Sequence, residues 1–282
     1  MLLSVIDLIE SGEIVDNKIF FSQPLVDQFD RYFNEISKSD DWCQPSPPFF
    51  HLRTSNFWHH KIKPGREDSY SKLSTSGGGI KRIVENIDYA YFDEDYYSLL
   101  CKKEYRAIIR RHILDQFFSD SEREKLSNLI VNFSDSIAYE NRLLSKTLDS
   151  SFQGTIEAVR DIAFRRIITS IYDYQCAVCG FRIVYPTITS PIDAAHLIPW
   201  SKSNNDHPSN GIALCKLHHW ALDARLISPT FDFKWKVSKV LDSRRNSENQ
   251  ITMFSNLGIL LPKESSYYPS DESIAWCLDN LL

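Results

Sequence analysis

The alternation of apolar and polar residues changes period several times along the chain, and each change marks an element. Leu2-Leu3-Ser4-Val5-Ile6-Asp7-Leu8-Ile9 is apolar at helical spacing, and Leu25, Phe29 and Tyr32-Phe33 repeat the pattern, so residues 1 to about 45 read as helix, turn, helix. Pro45-Ser46-Pro47-Pro48 breaks the period. Phe49-Phe50-His51-Leu52-Arg53 and Phe57-Trp58-His59-His60-Lys61-Ile62 then read as two strands or a hairpin. A polar loop from Pro64 to Gly79 closes on Gly77-Gly78-Gly79, three of the nine glycines, which predicts mobility there. Helices are predicted near 81–90 and 93–101. A strongly amphipathic segment runs from Glu104 to Phe118, with Ile108, Ile109, Ile113, Leu114 and Phe117 turned inward. Ser121-Glu122-Arg123-Glu124 has the spacing of a capping box for one further helix, to about 147.

The run Leu148-Asp149-Ser150-Ser151-Phe152-Gln153-Gly154 divides the chain into expected domains at 1–150 and 151–282, a length sufficient for two. A helix over 155–172 then leads into Cys176. Helices followed by short extended segments make the fold class α+β. Hydrophobic residues at 43% and charged residues at 24% are the balance of a folded protein. No apolar run reaches the ~18–20 residues of a membrane span. The first residues lack a basic region and meet Asp7 and Glu10 early, a poor signal peptide, so the expected location is cytoplasmic.

The formal net charge is −5, but it is unevenly spread. From 51 to 82, seven basic residues face two acidic ones; from 160 to 240, ten face six. Two basic regions on an acidic background form a plausible electrostatic footprint for nucleic acid, against the alternative of chance clustering on a solvated surface.

Three of the six cysteines fall within forty residues of one another. A disulfide framework is unusual in a chain this long without an export signal, so metal binding is the better reading. Cys176-Ala-Val-Cys179 supplies one close pair and Cys215-Lys-Leu-His218 a second, the pairing that a structural Zn2+ takes. If residues 215–223 are helical, Cys215 and His218 share a face. Consecutive helical residues diverge by about 100°, so His218 and His219 cannot both point at one ion. His219 is then free to face a second site, with His196 and Asn210 as its natural companions. A strand, a loop and a helix carrying His, Asn and His suit metal-assisted phosphodiester hydrolysis, in which one His deprotonates water and a hard cation stabilises phosphate charge.

At this point the residues resemble a family. The segments Asp193-Ala-Ala-His196-Leu-Ile-Pro199-Trp200 and Asn210-Gly211-Ile-Ala-Leu-Cys215-Lys-Leu-His218-His219 resemble the HNH endonucleases of the ββα-metal fold, in particular the McrA-like branch with a supporting zinc. The likeness extends upstream through Arg160-Asp161-Ile-Ala-Phe-Arg165-Arg166 and downstream through Trp220-Ala221-Leu222-Asp223-Ala224-Arg225-Leu226, covering roughly 155–240. It implies that His196 is the general base, that Asn210 orients the loop bearing it, and that His219 ligates a catalytic Mg2+, Mn2+ or similar ion. Many relatives carry Asp or His directly before the general base; this chain has Ala195, and Asp193, on the same side of an extended strand, is the substitute ligand. Asp223, four residues after His219, either orients that ring or is a plain surface carboxylate.

Pro47-Pro48-Phe49-Phe50-His51-Leu52 followed by Phe57-Trp58 is similar to domains that precede HNH nucleases in modification-dependent restriction enzymes, some of which recognise phosphorothioate-modified DNA. Ser55-Asn56 replaces the usual D-G before the aromatic. Aromatics beside Arg53, Lys61, Lys63 and Arg66 suit a phosphate backbone together with a base or an apolar modification, with Trp58 as the candidate reader. Most of Phe49, Phe50, Phe57 and Trp58 are nevertheless expected to be core residues, since aromatics at strand spacing are usually packed. The expected protein is a cytoplasmic endonuclease acting on double-stranded DNA, with a mixed α/β recognition domain ahead of a zinc-supported nuclease domain, restricting foreign or modified DNA. Two-strand cleavage by a single-site nuclease favours a homodimer. A zinc-stabilised DNA-binding protein without catalysis, and an RNA-cleaving or nicking HNH nuclease, are the alternatives.

Overall fold

In the computed structural model, residues 1–38, 40–73, 78–144, 157–183, 190–242, 244–245 and 248–282 are described. The chain is mixed α and β and divides into two units, Met1–Ser134 and Asp135–Ile183 with Ser190–Leu282. No helix among the described residues is long and apolar enough to cross a membrane.

The first unit begins with α1 (Leu2–Glu10) and α2 (Gln23–Ile36). Seven of the nine residues of α1 are buried, among them Asp7. Its carboxylate accepts hydrogen bonds from Gln28 Nε2 at 2.5 Å and Tyr32 Oη at 2.6 Å and pairs with Arg110. Next come α3 (Ser46–His51), a 3-10 turn (Leu52–Thr54), β1 (Trp58–Ile62), α4 (Glu67–Ser71), α5 (Ile80–Asn86), β2 (Ile87–Phe92), α6 (Glu94–Leu100), α7 (Lys103–Phe117) and α8 (Asp120–Leu144), whose residues from Asp135 onward belong to the second unit.

Four expectations are corrected here. The prolines at 45–48 start a helix rather than only ending one, because proline fits the first helical turn, where no intrahelical N–H bond is lost; Phe49–Arg53 is therefore not a strand. The partner of β1 is β2, in antiparallel register from Trp58 opposite Phe92 to Ile62 opposite Ile87. The helix expected over 81–90 stops at Asn86. A register shift at Lys61/Ile62 accompanies an irregular burial pattern in β2, with Ile87, Ala90 and Phe92 inside, which hides its two-residue period. The polar stretch after Pro64 holds the short α4; residues 74–77, including Gly77 of the triplet, lie outside the described residues.

In α7 the inward face centres on Arg110 and Leu114. Arg110 is buried because it pairs with Asp7 and Glu10 of α1. Ile108 lies on the opposite side and is 62% exposed, and Phe117, 74% exposed, lines an open apolar groove at the end of the helix. The capping box of α8 is Ser119-x-x-Glu122, two residues earlier than expected: Glu122 Oε2 accepts from Ser119 N at 2.8 Å and from Ser119 Oγ at 2.7 Å. The boundary expected at 148–154 lies outside the described residues; the division between the units falls between Ser134 and Asp135.

The second unit contains α9 (Glu157–Ile171), β3 (Ile192–His196), α10 (Trp200–Ser203), β4 (Gly211–Cys215), α11 (Lys216–Asp223), β5 (Ile227–Pro229), β6 (Trp235–Val237), α12 (Asn249–Thr252) and α13 (Asp271–Asp279). Strands β3 and β4 pair antiparallel from Ile192 opposite Cys215 to His196 opposite Gly211, and α11 follows β4 without a linker. The hairpin packs on α9 through Ala163, Phe164, Ile167 and Ile168, joined by Ile212, Leu214 and Leu222 in one core.

Gly211 is where this packing is tightest. A Cβ there would overlap Ile168 and stand 3.0 Å from Phe164. Gly211→Ala is therefore expected to destabilise the C-terminal unit by about 1–3 kcal/mol, the usual cost of overpacking. Urea unfolding followed through the tryptophans would show a lowered midpoint; an unchanged midpoint would mean that α9 yields freely.

Candidate active site and zinc centre

The chain leaves α9 through Asp173 and Tyr174, both in the left-handed region with φ of 52° and 55°, and enters a tight knuckle. Cys176 N donates to Phe181 O at 2.9 Å, and Gly180, at φ 68°, donates to Cys176 O at 2.9 Å. Ala177 N donates to Ala213 O at 2.8 Å, which hooks the knuckle onto β4. Cys215 stands at the end of β4 as the N-cap of α11, and His218 lies in the first turn of that helix. One ligand atom from each of Cys176, Cys179, Cys215 and His218 falls within 4.8 Å of the others. His218 Nδ1 lies 3.5 Å from Cys176 Sγ and 3.2 Å from Cys215 Sγ. A tetrahedron with Zn–S of about 2.3 Å and Zn–N of about 2.0 Å has edges of roughly 3.5–3.8 Å, so the group fits zinc. His218 Nε2 is buried without a hydrogen-bond partner, so the polar contacts of this ring are on its Nδ1 edge.

The helical turn from 218 to 219 separates the two rings as the 100° step requires. His218 is 2% exposed, whereas the His219 side chain is 28% exposed. His219 Nδ1 lies 3.6 Å from Asp193 Oδ2, and its Nε2 lies 3.6 Å from Asp223 Oδ2. The approach of Asp193 raises the pKa of His219 against the opposing effect of burial. Burial alone would raise Asp193, but His219, Lys216 and Arg165 bring it down to about 2. Asp193 and Ala195 share one face of β3, so a carboxylate two residues before the more common ligand position still reaches His219.

His196 ends β3. Its ring lies flat on Phe164, with centroids 3.7 Å apart and planes within 2°, and its Nε2 is 2.8 Å from Asp206 Oδ1. The other oxygen of Asp206 accepts from Arg160 Nε and Tyr139 Oη, each at 2.8 Å. Burial would raise the pKa of Asp206, but the bonds from His196, Arg160 and Tyr139 lower it below the ordinary carboxylate value. Asn210 is fully buried and uses its whole amide: Oδ1 accepts from Ile198 N and Ser273 Oγ, both at 2.9 Å, and Nδ2 donates to Ile198 O at 3.0 Å and Asn205 O at 2.9 Å. It thereby clamps both ends of the loop between His196 and β4. His196 and Asp223 line one cleft of about 90 Å³ with Leu197, Pro199, Leu222 and Trp276. No direct polar contact joins His196 to His219 among the described residues.

Sequence reasoning did not single out Asp206, Tyr139, Lys216 or Ser273 as site residues. Asp206 sits in the polar run Asn204-Asn205-Asp206-His207, where nothing in the spacing separates it from its neighbours. The N-terminal candidates divide. Trp58 is fully buried, edge-on to Phe49 at 5.6 Å and to Phe92 at 5.2 Å, so it is a core residue and offers no stacking surface. Its Nε1 donates to His60 Nε2 at 3.2 Å; burial lowers the pKa of His60 to about 4, so the acceptor stays neutral. Phe49 and Phe50 are buried too. Lys63 Nζ donates to Val84 O at 2.7 Å, and the Arg53 guanidinium lies 3.9 Å over Phe50. Lys61 and Arg66 are exposed.

A β-hairpin running directly into a helix, with His at a strand end, a buried Asn before the second strand and paired His beside a Cys-rich knuckle, defines a nuclease-type ββα unit. Residues 176–228 match the HNH endonuclease family, and the C-terminal unit carries an HNH endonuclease domain. Among solved structures, a modification-dependent TagI restriction endonuclease aligns with 18% identity and a TM-score of 0.29, covering 42% of this chain and 37% of that one. The chain thus spans well under two thirds of that protein's length. No curated protein matches the chain.

The two histidines of α11 are separable by experiment. Cys179→Ser is expected to release zinc and unfold the C-terminal unit, since binding at such sites is folding free energy of about 10–16 kcal/mol in small zinc peptides. His219→Ala should keep both its zinc and its melting temperature while losing activity. Elemental analysis with circular dichroism distinguishes the two; equal zinc loss from both would put His219 in the structural site.

Proposed function

We propose that this chain is a metal-dependent endonuclease that hydrolyses phosphodiester bonds in double-stranded DNA, and that it restricts foreign or modified DNA. One observation carries the reading: a single hairpin-helix unit presents His196 on one strand end and the Asp193–His219 pair, 3.6 Å apart, on its other face and following helix. His196 takes the proton of a water that attacks phosphorus, and Asn210 holds the loop that follows it. Asp193 and His219 offer one hard oxygen and one imidazole nitrogen, donors compatible with Mg2+, Mn2+ or a similar ion. Such an ion supplies charge stabilisation to the phosphate and the leaving oxygen. Lys216 and Arg165, beside Asp193, add positive charge next to the same position.

In the N-terminal unit, the exposed Lys61 and Arg66 and the partly exposed Arg53 remain as phosphate contacts, with Trp58 removed from the set. This unit serves as the recognition domain, the protein works in the cytoplasm, and a homodimer cuts both strands. Two measurements test these statements.

The first is digestion of modified and unmodified DNA with Mg2+, Mn2+ or chelator, beside His196→Ala. Cleavage should need metal and vanish in the variant, while folding, zinc content and DNA binding persist. Turnover by His196→Ala at the wild-type rate would remove the mechanism, and cleavage confined to RNA or to one strand would reassign the substrate. The second is salt-dependent DNA binding by Lys61→Glu in the full chain. Affinity should fall for every sequence, and the slope of log K against log salt should shrink by about one phosphate contact. An unchanged slope would exclude Lys61 from the interface.

A further inference from the structure

We infer that Asp206 is a positioning residue for His196: its buried carboxylate fixes the imidazole in the tautomer that leaves Nδ1 free to take a proton. The inference rests on the reading of His196 as general base and adds to it a residue of the loop that joins the two strands of the hairpin. Asp206 sits in the loop between β3 and β4, and its side chain is 1% exposed. Each of its oxygens has a separate task. Oδ2 accepts from Arg160 Nε on α9 and Tyr139 Oη on α8, both at 2.8 Å. Oδ1 is left to His196 Nε2, also at 2.8 Å.

A carboxylate oxygen can only accept, so Nε2 must carry the ring hydrogen and Nδ1 must carry the lone pair. Phe164, stacked 3.7 Å from the ring, sets its plane. With one edge anchored and one face covered, Nδ1 is the remaining polar atom of the ring, and it makes no polar contact with any described residue. When Nδ1 takes a proton, the resulting imidazolium donates from Nε2 to a carboxylate, which stabilises the charge as it forms. Arg160 is also held from the far side, its guanidinium 3.5 Å over the Trp200 ring, so the acceptor that orients His196 is itself fixed by packing.

The arrangement makes Asp206→Asn informative. The charged Arg160 and the Tyr139 hydroxyl require an acceptor where Oδ2 stands, so the amide oxygen turns toward them. The amide NH2 then faces His196 Nε2, which must accept, and the ring hydrogen moves to Nδ1. The base is thereby blocked with little change in volume. The same exchange at the carboxylate of a Ser-His-Asp triad lowers kcat by about 10⁴ with the geometry intact.

The test uses the full-length zinc-loaded protein labelled with 15N-histidine. Long-range 15N–1H correlation at a pH where the ring is neutral reads the tautomer, and subtraction of a His196→Gln spectrum identifies its signals among the eight histidines. The wild type should show hydrogen on Nε2, and Asp206→Asn should show it on Nδ1. The variant should lose at least about 100-fold in kcat, with KM, DNA affinity and zinc content unchanged. Hydrogen on Nδ1 in the wild type would overturn the inference without need of a variant, as would a kcat in Asp206→Asn within threefold of wild type. The expected pair of tautomers in a wild type inactive on every nucleic acid and metal would support the Asp206–His196 arrangement and overturn the nuclease reading alone.

Discussion

The close approach of α9 to the β3–β4 hairpin governs the C-terminal unit. Phe164 and Ile168 lie where any side chain at position 211 would be, and Phe164 is also the surface on which the His196 ring rests. Gly211 stands opposite His196 in the ladder, so the contact that seals the core is one strand away from the His196 ring. The depth of the helix against the sheet therefore sets the height of the ring above it. The same helix brings Arg160 to Asp206, so one rigid element controls both the face and the edge of His196. Close packing transmits small displacements rather than absorbing them, which makes the geometry of this ring a property of the whole core.

How much of this was legible in the sequence depends on whether a residue's partner is local. Cys176 and Cys179, or Cys215 and His218, declare themselves by spacing, and the divergence of His218 from His219 follows from helical rotation alone. The reach of Asp193 to His219 was readable because a strand alternates. Asp206 was not, because its partners come from positions 139 and 160, far away in the chain, and its own neighbours are equally polar. Ser273, which completes the bonding of Asn210 from α13, was hidden for the same reason.

In the N-terminal unit the misreadings have a common origin. The local period reads Phe49–Arg53 as a strand, yet Phe49 lies on a helix and meets Trp58 of β1 edge-on in one core. The prolines ahead of Phe49 read in the sequence only as a break, although the first turn of a helix accepts them. In α7, a buried Arg110 turned the helix so that Ile108 faces outward. That rotation answers to Asp7, a carboxylate buried in an otherwise apolar helix. A charge inside a core redirects hydrophobic faces, and a hydropathy pattern that counts only apolar positions cannot register it.

The clamp made by Asn210 has a consequence for how the chain can vary in length. Because one amide holds Ile198 at the start of the loop and Asn205 near its end, the span between these anchors is a tethered excursion whose ends stay fixed. Residues added around α10 would lengthen that excursion without moving the strand end before it. The stretch from Cys215 to Asp223 has no such freedom. One residue inserted or deleted there would rotate everything beyond it by about 100°, trading the position that faces the cysteines for the one that faces Asp193. The unit thus joins a segment that tolerates growth to one whose residue count is fixed.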